Sequence, residues 1–359
     1  MSKSSSLYID FDRSEWSRDI ANFALGSQAT FLVGVGVREG NLAKLWRADE
    51  QPIVLSDHEV ELIEHLVRSL EPSTLQQIKV SGHPYLDICV PNGLIRNPRG
   101  SVIGISIPYY PPDHFQEMAK FIEFEARESG QTPSLTGVAI RTTLSLAREI
   151  CQRVALAHKR GFIIGDLSPR NFLVSKTMKV VSVDIDSWTA VKHHETKPSR
   201  LSGYHTPGYV APEVLKGEDF SKASDCFVAG GILIPTLLFG GIHPFDGKSK
   251  SAAEVDCFTL DHRILNDYFW PLDPSSYIFN GLPIRWGLSS LPEKLAEAIL
   301  RSLARQPSKR CKIGQMIEAT THAISLLKSC ESCSRRLGEP HADEWFQGHV
   351  CPLCGDLVK

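Results

Sequence analysis

Three polar side chains lie close together in the middle of the sequence: Asp166 and Asn171 in GDLSPRNFLV, and Asp184 in VVSVDID. Mg2+ takes hard oxygen ligands and leaves part of its shell to water and substrate phosphates, so a carboxylate with a carboxamide is a fitting protein contribution. Asn171 and Asp184 are therefore candidates to hold Mg2+ with ATP. Phosphoryl transfer draws nearly all its catalysis from positioning and electrostatics, and a further carboxylate free to accept a hydroxyl hydrogen bond would orient the attacking oxygen. Asp166 suits that role. A second constellation stands near the end of the chain, where Cys330 and Cys333 (CESC) are followed after seventeen residues by Cys351 and Cys354 (CPLC). Two CxxC knuckles at this separation suit tetrahedral Zn2+ held by four thiolates, a closed structural site with no open position for catalysis. A module this small has no core of its own, so metal binding would supply most of its folding free energy.

These residues need elements to position them. Residues 28–44 carry two β-rich runs around REGN, a hairpin pattern that predicts an N-terminal sheet. Val60, Ile63, Val67 and Leu70 recur at helical spacing in 57–70, with Asp57 as the expected N-cap. A longer helix is expected over 138–160, with Ile140, Leu144, Ala147, Cys151, Val154 and His158 on one stripe and Gly161 as its stop. The apolar runs 172–174 and 180–183, joined by SKTMK, predict a small hairpin that carries Asn171 before it and Asp184 after it. From Ser221 to about Lys328 the pattern is mainly helical, including an apolar run, 227–241, that contains Pro235 and is too short to span a bilayer.

With these motifs in order, the chain resembles the eukaryotic-type (Hanks-type) Ser/Thr protein kinase family. HKRGFIIGDLSPRN resembles the catalytic loop, VDID the metal-binding motif, and TPGYVAPEVL the end of the activation segment with Ala211, Pro212 and Glu213. SDCFVAGGIL resembles the helix whose aspartate, here Asp225, holds the catalytic loop. RQPSKR resembles the late motif whose arginine, here Arg310, pairs with Glu213. The resemblance covers roughly 20–328 and implies an α+β, two-lobed kinase-like fold: a lead at 1–19, an N-lobe at 20–108, a C-lobe at 109–328 and a zinc ribbon at 329–359. It implies that Lys44 in LAKLW binds ATP phosphates, that Glu59 is its partner on the following helix, that Thr206 bonds near Asp166, and that Gly26 and Val33 belong to the glycine-rich loop. Gln28 and Phe31 stand there in place of glycines, and a Cβ restricts how closely a backbone approaches phosphate. Ile164 and Gly165 replace the histidine and arginine before the catalytic aspartate, so loop phosphorylation is not the expected trigger. DID replaces DFG, making Asp186 a candidate second acidic Mg2+ ligand. Ser168 replaces a lysine, and Arg170, two residues on, is the candidate to serve the transferring phosphate. GDLSPRN with DIDSW also resembles a bacterial subgroup whose companions include a phosphatase and an adhesion-type domain.

Composition narrows the partners. Lys and Arg number 39 against 41 Asp and Glu, a formal net charge of −2 that gives no field for nucleic acid or an anionic membrane. The cysteine-rich end carries only Arg335, Arg336 and Lys359 as basic residues, so nucleic acid is not an expected partner. No signal-type apolar region follows Lys3 in MSKSSSLYIDFDRSEW, and nine cysteines are too few for a disulfide scaffold, so a cytoplasmic address is expected. The leading expectation is phosphorylation of Ser or Thr on a protein substrate. The rival, which the altered glycine loop favours, is a pseudokinase scaffold that binds nucleotide or a partner without catalysis.

Overall fold

The computed structural model describes residues 7–17, 29–48, 51–120, 140–191, 205–239, 241–246, 248–249, 259–266, 268–272, 277–279, 282–283, 287–329 and 343–344. By contact the chain divides into two compact units: Met1–Gln116 with Leu173–Gly203, and Glu117–Phe172 with Tyr204–Lys359. Strand and helix are mixed, as an α+β kinase-like fold requires.

The first unit is built on strands β1 (Tyr8–Asp10), β2 (Trp16–Ser17), β3 (Ala29–Gly34), β4 (Asn41–Ala48), β5 (Gln51–Pro52), β6 (Gln77–Val80), β7 (His83–Leu86), β8 (Gly93–Arg96) and β9 (Val102–Pro108). Its seven-stranded sheet runs β1-β8-β9-β4-β3-β2 with β5 on β4. The hairpin around REGN pairs Phe31 with Lys44 and Leu32 with Ala43. The lead expected at 1–19 instead supplies two strands: β1 lies parallel to β8, and β2 pairs with β3. Trp16, 3% exposed, explains why, because its indole closes a cluster with Ile9, Leu32, Ala43 and Ile95 on one sheet face. The other face packs Trp46, Leu94 and Ile105 against Leu55 and Ile63. Ile63 belongs to the helix Asp57–Ser69, whose N-cap is Ser56, not Asp57. Ser56 and Glu59 form a capping box, which satisfies two groups at the helix start.

The hairpin of Phe172–Ser175 and Val180–Ser182 turns at Met178 and delivers residues 184–186 to the first unit. In the second unit, the helix Ile140–Lys159 buries Leu144, Ala147, Cys151 and Val154 and packs against the helix Ile313–Ser325. From Lys222 to Leu238 the apolar run around Pro235 is helical but not uniformly α: Lys222–Val228 and Ile234–Leu238 flank a π turn at Ala229–Leu233. Pro235 has no N–H and its ring crowds the preceding turn, and widening that turn is the local remedy. Among the described residues no helix is long and apolar enough to cross a membrane.

Candidate active site

The first cluster lies in the N-terminal unit. Side chains of a strand alternate, so Lys44 and Trp46 share one face of β4. Both reach the segment after the Val180–Ser182 strand. Lys44 Nζ donates to both oxygens of Asp186 at 2.9 Å, and Trp46 Nε1 donates to Asp186 Oδ2 at 3.1 Å. Lys44 also pairs with Asp184. Asp184 takes a left-handed backbone (φ 60°, ψ 35°), uncommon for a residue with a Cβ, and its carbonyl accepts from Ser187 Oγ at 2.9 Å. Burial alone would lower the Lys44 pKa, but the two carboxylates more than reverse it and keep the ammonium charged. Burial pushes the Asp186 carboxyl up against the opposing pull of Lys44 and Trp46. The Asp184 side chain is 39% exposed, Asp186 only 5%.

Glu59, expected beside Lys44, accepts from the Ser56 backbone N–H at 2.9 Å and the Ser56 hydroxyl at 2.8 Å, both at Oε2. It is buried, and the carboxylates on Lys44 are Asp184 and Asp186. The reason is positional: Glu59 is the third helical residue, where the orphan N–H of the cap claims a carboxylate. Val33 stands on β3 opposite Leu42. Gly26 and Gln28 lie outside the described residues, as do Cys330, Cys333, Cys351 and Cys354.

The second cluster lies in the C-terminal unit. Asp225, 1% exposed, accepts from the backbone N–H of Ile164 and of Gly165 and from His158 Nε2, each at 2.9 Å. Gly165 has φ +75°, which explains why glycine suits the position before Asp166. Asn171 Nδ2 donates to Asp166 Oδ2 at 2.9 Å and to its carbonyl at 2.8 Å. Thr206 reaches Asp166 through its backbone N–H, 2.9 Å from Oδ1, not through its hydroxyl. Ser168 is fully buried, whereas Arg170 is exposed and lies close enough to Tyr209 to act on it. Burial pushes the Tyr209 phenol up to about 12, opposed by a bond to Thr236 and by Arg170. Behind the site, Arg310 grips Glu213 with two parallel bonds of 2.5 and 2.6 Å and donates to the carbonyls of Ala223 and Ala304. Two polar residues escaped the sequence reading: Asp261 and His243, both bonded to Gly208. The only signal for His243 was its place after a long apolar run.

The C-terminal unit thus holds a buried carboxylate behind a loop that presents another carboxylate, and the N-terminal unit holds a strand lysine among acids. Residues 118–321 match the protein kinase domain family model. This chain belongs to that family. It is 25% identical over 199 residues to Serine/threonine-protein kinase PknD of Chlamydia abortus and 26% identical over 202 residues to that of Chlamydia caviae, half of this chain in each comparison. It is 25% identical over 198 residues, again 50% of the chain, to Calcium/calmodulin-dependent protein kinase type II of Caenorhabditis elegans. The matches span 19% of each PknD and 27% of the nematode kinase.

Proposed function

We propose that this chain transfers the γ-phosphate of Mg2+–ATP to Ser or Thr of a protein substrate. The observation that carries the reading is Asp166: Asn171 and Thr206 fix its two carboxylate oxygens in direction with uncharged donors, so that it can orient a hydroxyl. Asn171 spends its amide N–H on Asp166, which leaves the amide oxygen as a hard donor, and the part-exposed carboxylate of Asp184 is another; each is a donor type that fits Mg2+. Bound Mg2+ would neutralise charge on the phosphates. Lys44 supplies an ammonium for the phosphates, and Arg170 a charge for the group in transfer. Asp186, considered above as a further metal ligand, is better assigned to holding Lys44, because Lys44 and Trp46 occupy its oxygens.

The test is incubation with Mg2+–ATP and a generic basic protein, beside Asp184→Ala, with phosphosites mapped by mass spectrometry. Phosphoserine or phosphothreonine absent from the variant is the expected result. Equal silence from both, with ATP still bound, would favour the pseudokinase scaffold; Phe31 in register with Lys44 is the feature on that side.

We further propose that Cys330, Cys333, Cys351 and Cys354 hold one structural Zn2+. Backbone pairing of Lys328–Ser329 with Asp343–Glu344 supports this, since it folds the chain back just before the first knuckle. Metal analysis should find one zinc per chain, and Cys330→Ser with Cys351→Ser should remove it. Phosphatase or adhesion-domain companions follow only from the subgroup resemblance.

A further inference from the structure

Asp166 receives one of its two fixing bonds from its own loop and the other from the segment that carries Thr206. That segment has its own support. Tyr209 N–H donates to Thr206 C=O at 2.9 Å, closing a turn with Pro207 second and Gly208 third, and Gly208 has φ +85°. This is the type II turn, in which proline presets one position and glycine supplies the positive φ of the next. Such a turn moves as one piece, so whatever fixes Gly208 also fixes the Thr206 N–H.

Gly208 is held on both sides of its backbone. Its N–H donates to Asp261 Oδ1 at 2.7 Å, and its C=O accepts from His243 Nε2 at 2.8 Å. The Phe245 N–H donates to His243 Nδ1 at 3.2 Å, which sets the tautomer: the proton is on Nε2 and faces Gly208. The Tyr209 ring stands edge-on to the imidazole, centroids 5.1 Å apart. A Cβ at Gly208 would lie 2.7 Å from Leu260 Cδ1, so the clamp closes only on glycine. His243 and Asp261 come from separate parts of the unit, 241–246 and the helix Leu260–Leu265, and converge on this one peptide.

We propose that His243 and Asp261 are positioning residues for phosphoryl transfer: by clamping Gly208 they hold the Thr206–Tyr209 turn, and through the Thr206 N–H they set the direction in which Asp166 presents its carboxylate to the substrate hydroxyl. The inference rests on the kinase reading. It gives the His243 ring a protonation requirement. A second proton would sit on Nδ1 and break the Phe245 bond. The groups facing the ring are Asp246 and Asp261, which favour that proton, and Arg263, which opposes it with burial; His205 Nε2 lies 3.8 Å from Asp261.

The test pairs disruptive with conservative variants and reads two quantities. His243→Phe keeps a ring but loses both bonds, whereas His243→Gln keeps a donor near Nε2. Asp261→Ala loses the acceptor, whereas Asp261→Asn keeps Oδ1. In hydrogen exchange, the amides of 206–211 should exchange faster in His243→Phe and Asp261→Ala. The same two should lose kcat by about tenfold, the scale of one hydrogen bond, with KM for ATP unchanged. Gln and Asn should restore most of both. Exchange unchanged in the disruptive pair, or kcat lost equally in the conservative pair, would overturn the proposal. Should His243→Phe fail to fold, the Asp261 pair decides alone. A wild-type protein with no transferase activity would overturn the kinase reading, whereas the exchange result judges the clamp.

Discussion

The two clusters hold their central residue by opposite means. Asp166 is oriented by neutral donors, an amide and a backbone N–H, on a loop whose own backbone bonds to buried Asp225. Lys44 is oriented by charge, one ammonium between the carboxyl groups of Asp184 and Asp186. Neutral hydrogen bonds are directional and contribute similarly at any working pH, so they suit a group whose angle must not change. An ion cluster with more carboxyl groups than cations is less settled: it has room for another positive charge. The C-terminal unit is thus built to fix geometry, and on the proposed kinase reading the N-terminal cluster would exchange ionic partners as Mg2+–ATP binds.

The largest effect should come from a place where the C-terminal unit itself relies on charge. Arg310 and Glu213 are both buried, and Arg310 also donates to the carbonyls of Ala223 and Ala304. Removing one partner leaves a buried charge alone, which costs about 3–5 kcal/mol. Arg310→Ala should lower stability by that amount in denaturant unfolding. Arg310→Met with Glu213→Leu should recover much of it, because replacing both partners leaves no orphan. A loss under about 1 kcal/mol in Arg310→Ala, the exposed-pair range, would mean that solvent already screens the pair and that this unit does not depend on it.

Next in size is a pH effect confined to the C-terminal unit. Burial lowers the His243 pKa from 6.5 to about 4, partly offset by its Gly208 bond and nearby carboxylates. A depressed histidine binds fewer protons folded than unfolded, so stability is fully present above about 6.5 and is lost as pH falls toward 4. The full loss is on the order of 3 kcal/mol. Thermal melts across this window should show the slope in wild type and a flatter profile in His243→Gln. Identical slopes would place the titration elsewhere.

The same contrast explains what could be read from sequence. Periodicity exposed the helix Ile140–Lys159, whose apolar stripe is long and regular, and the hairpin pairing Phe31 with Lys44. Asp166 and Asn171 were legible because they stand five residues apart on one loop, whereas Asp225, 60 residues from Gly165, was implied only by the family resemblance. The partner of Lys44 was not. It was sought on the helix bearing Glu59, but the choice between that carboxylate and Asp186, 142 residues away in sequence, depends on which of them the helix cap engages. Trp16 and Tyr8 carry no periodic pattern in so short a stretch, so β1 and β2 emerge only from the sheet they join. His243 and Asp261 escaped because what they bond is a peptide group, which leaves no mark in residue type.

A smaller effect should separate stability from function at Lys44. Asp186 is buried and its carboxyl is pushed up by burial, so folding disfavours its ionised form and this contribution to stability declines as pH rises through the carboxylate range. Asp186→Asn keeps an acceptor for Trp46 and removes that burden. Its melting temperature should match or exceed that of wild type. ATP affinity should still fall by about tenfold, the range of a hydrogen bond to a charged group, because Lys44 loses its bidentate support. A destabilised variant with unchanged affinity would show that the pair serves folding and not the nucleotide.

The smallest effect comes from Ser56, and it tests whether the capping box holds Glu59 back from Lys44. Loss of a serine N-cap costs about 1 kcal/mol, and Ser56→Ala should show that loss in thermal unfolding. The substitution also removes the hydroxyl that Glu59 accepts from, leaving the backbone N–H of the same residue. If the capping box is what keeps Glu59 from Lys44, loosening it frees the carboxylate to compete with Asp186. Combining Ser56→Ala with Asp186→Asn should then recover part of the ATP affinity lost in Asp186→Asn alone. Strict additivity of the two changes would show instead that the helix position, and not its cap, sets the partner.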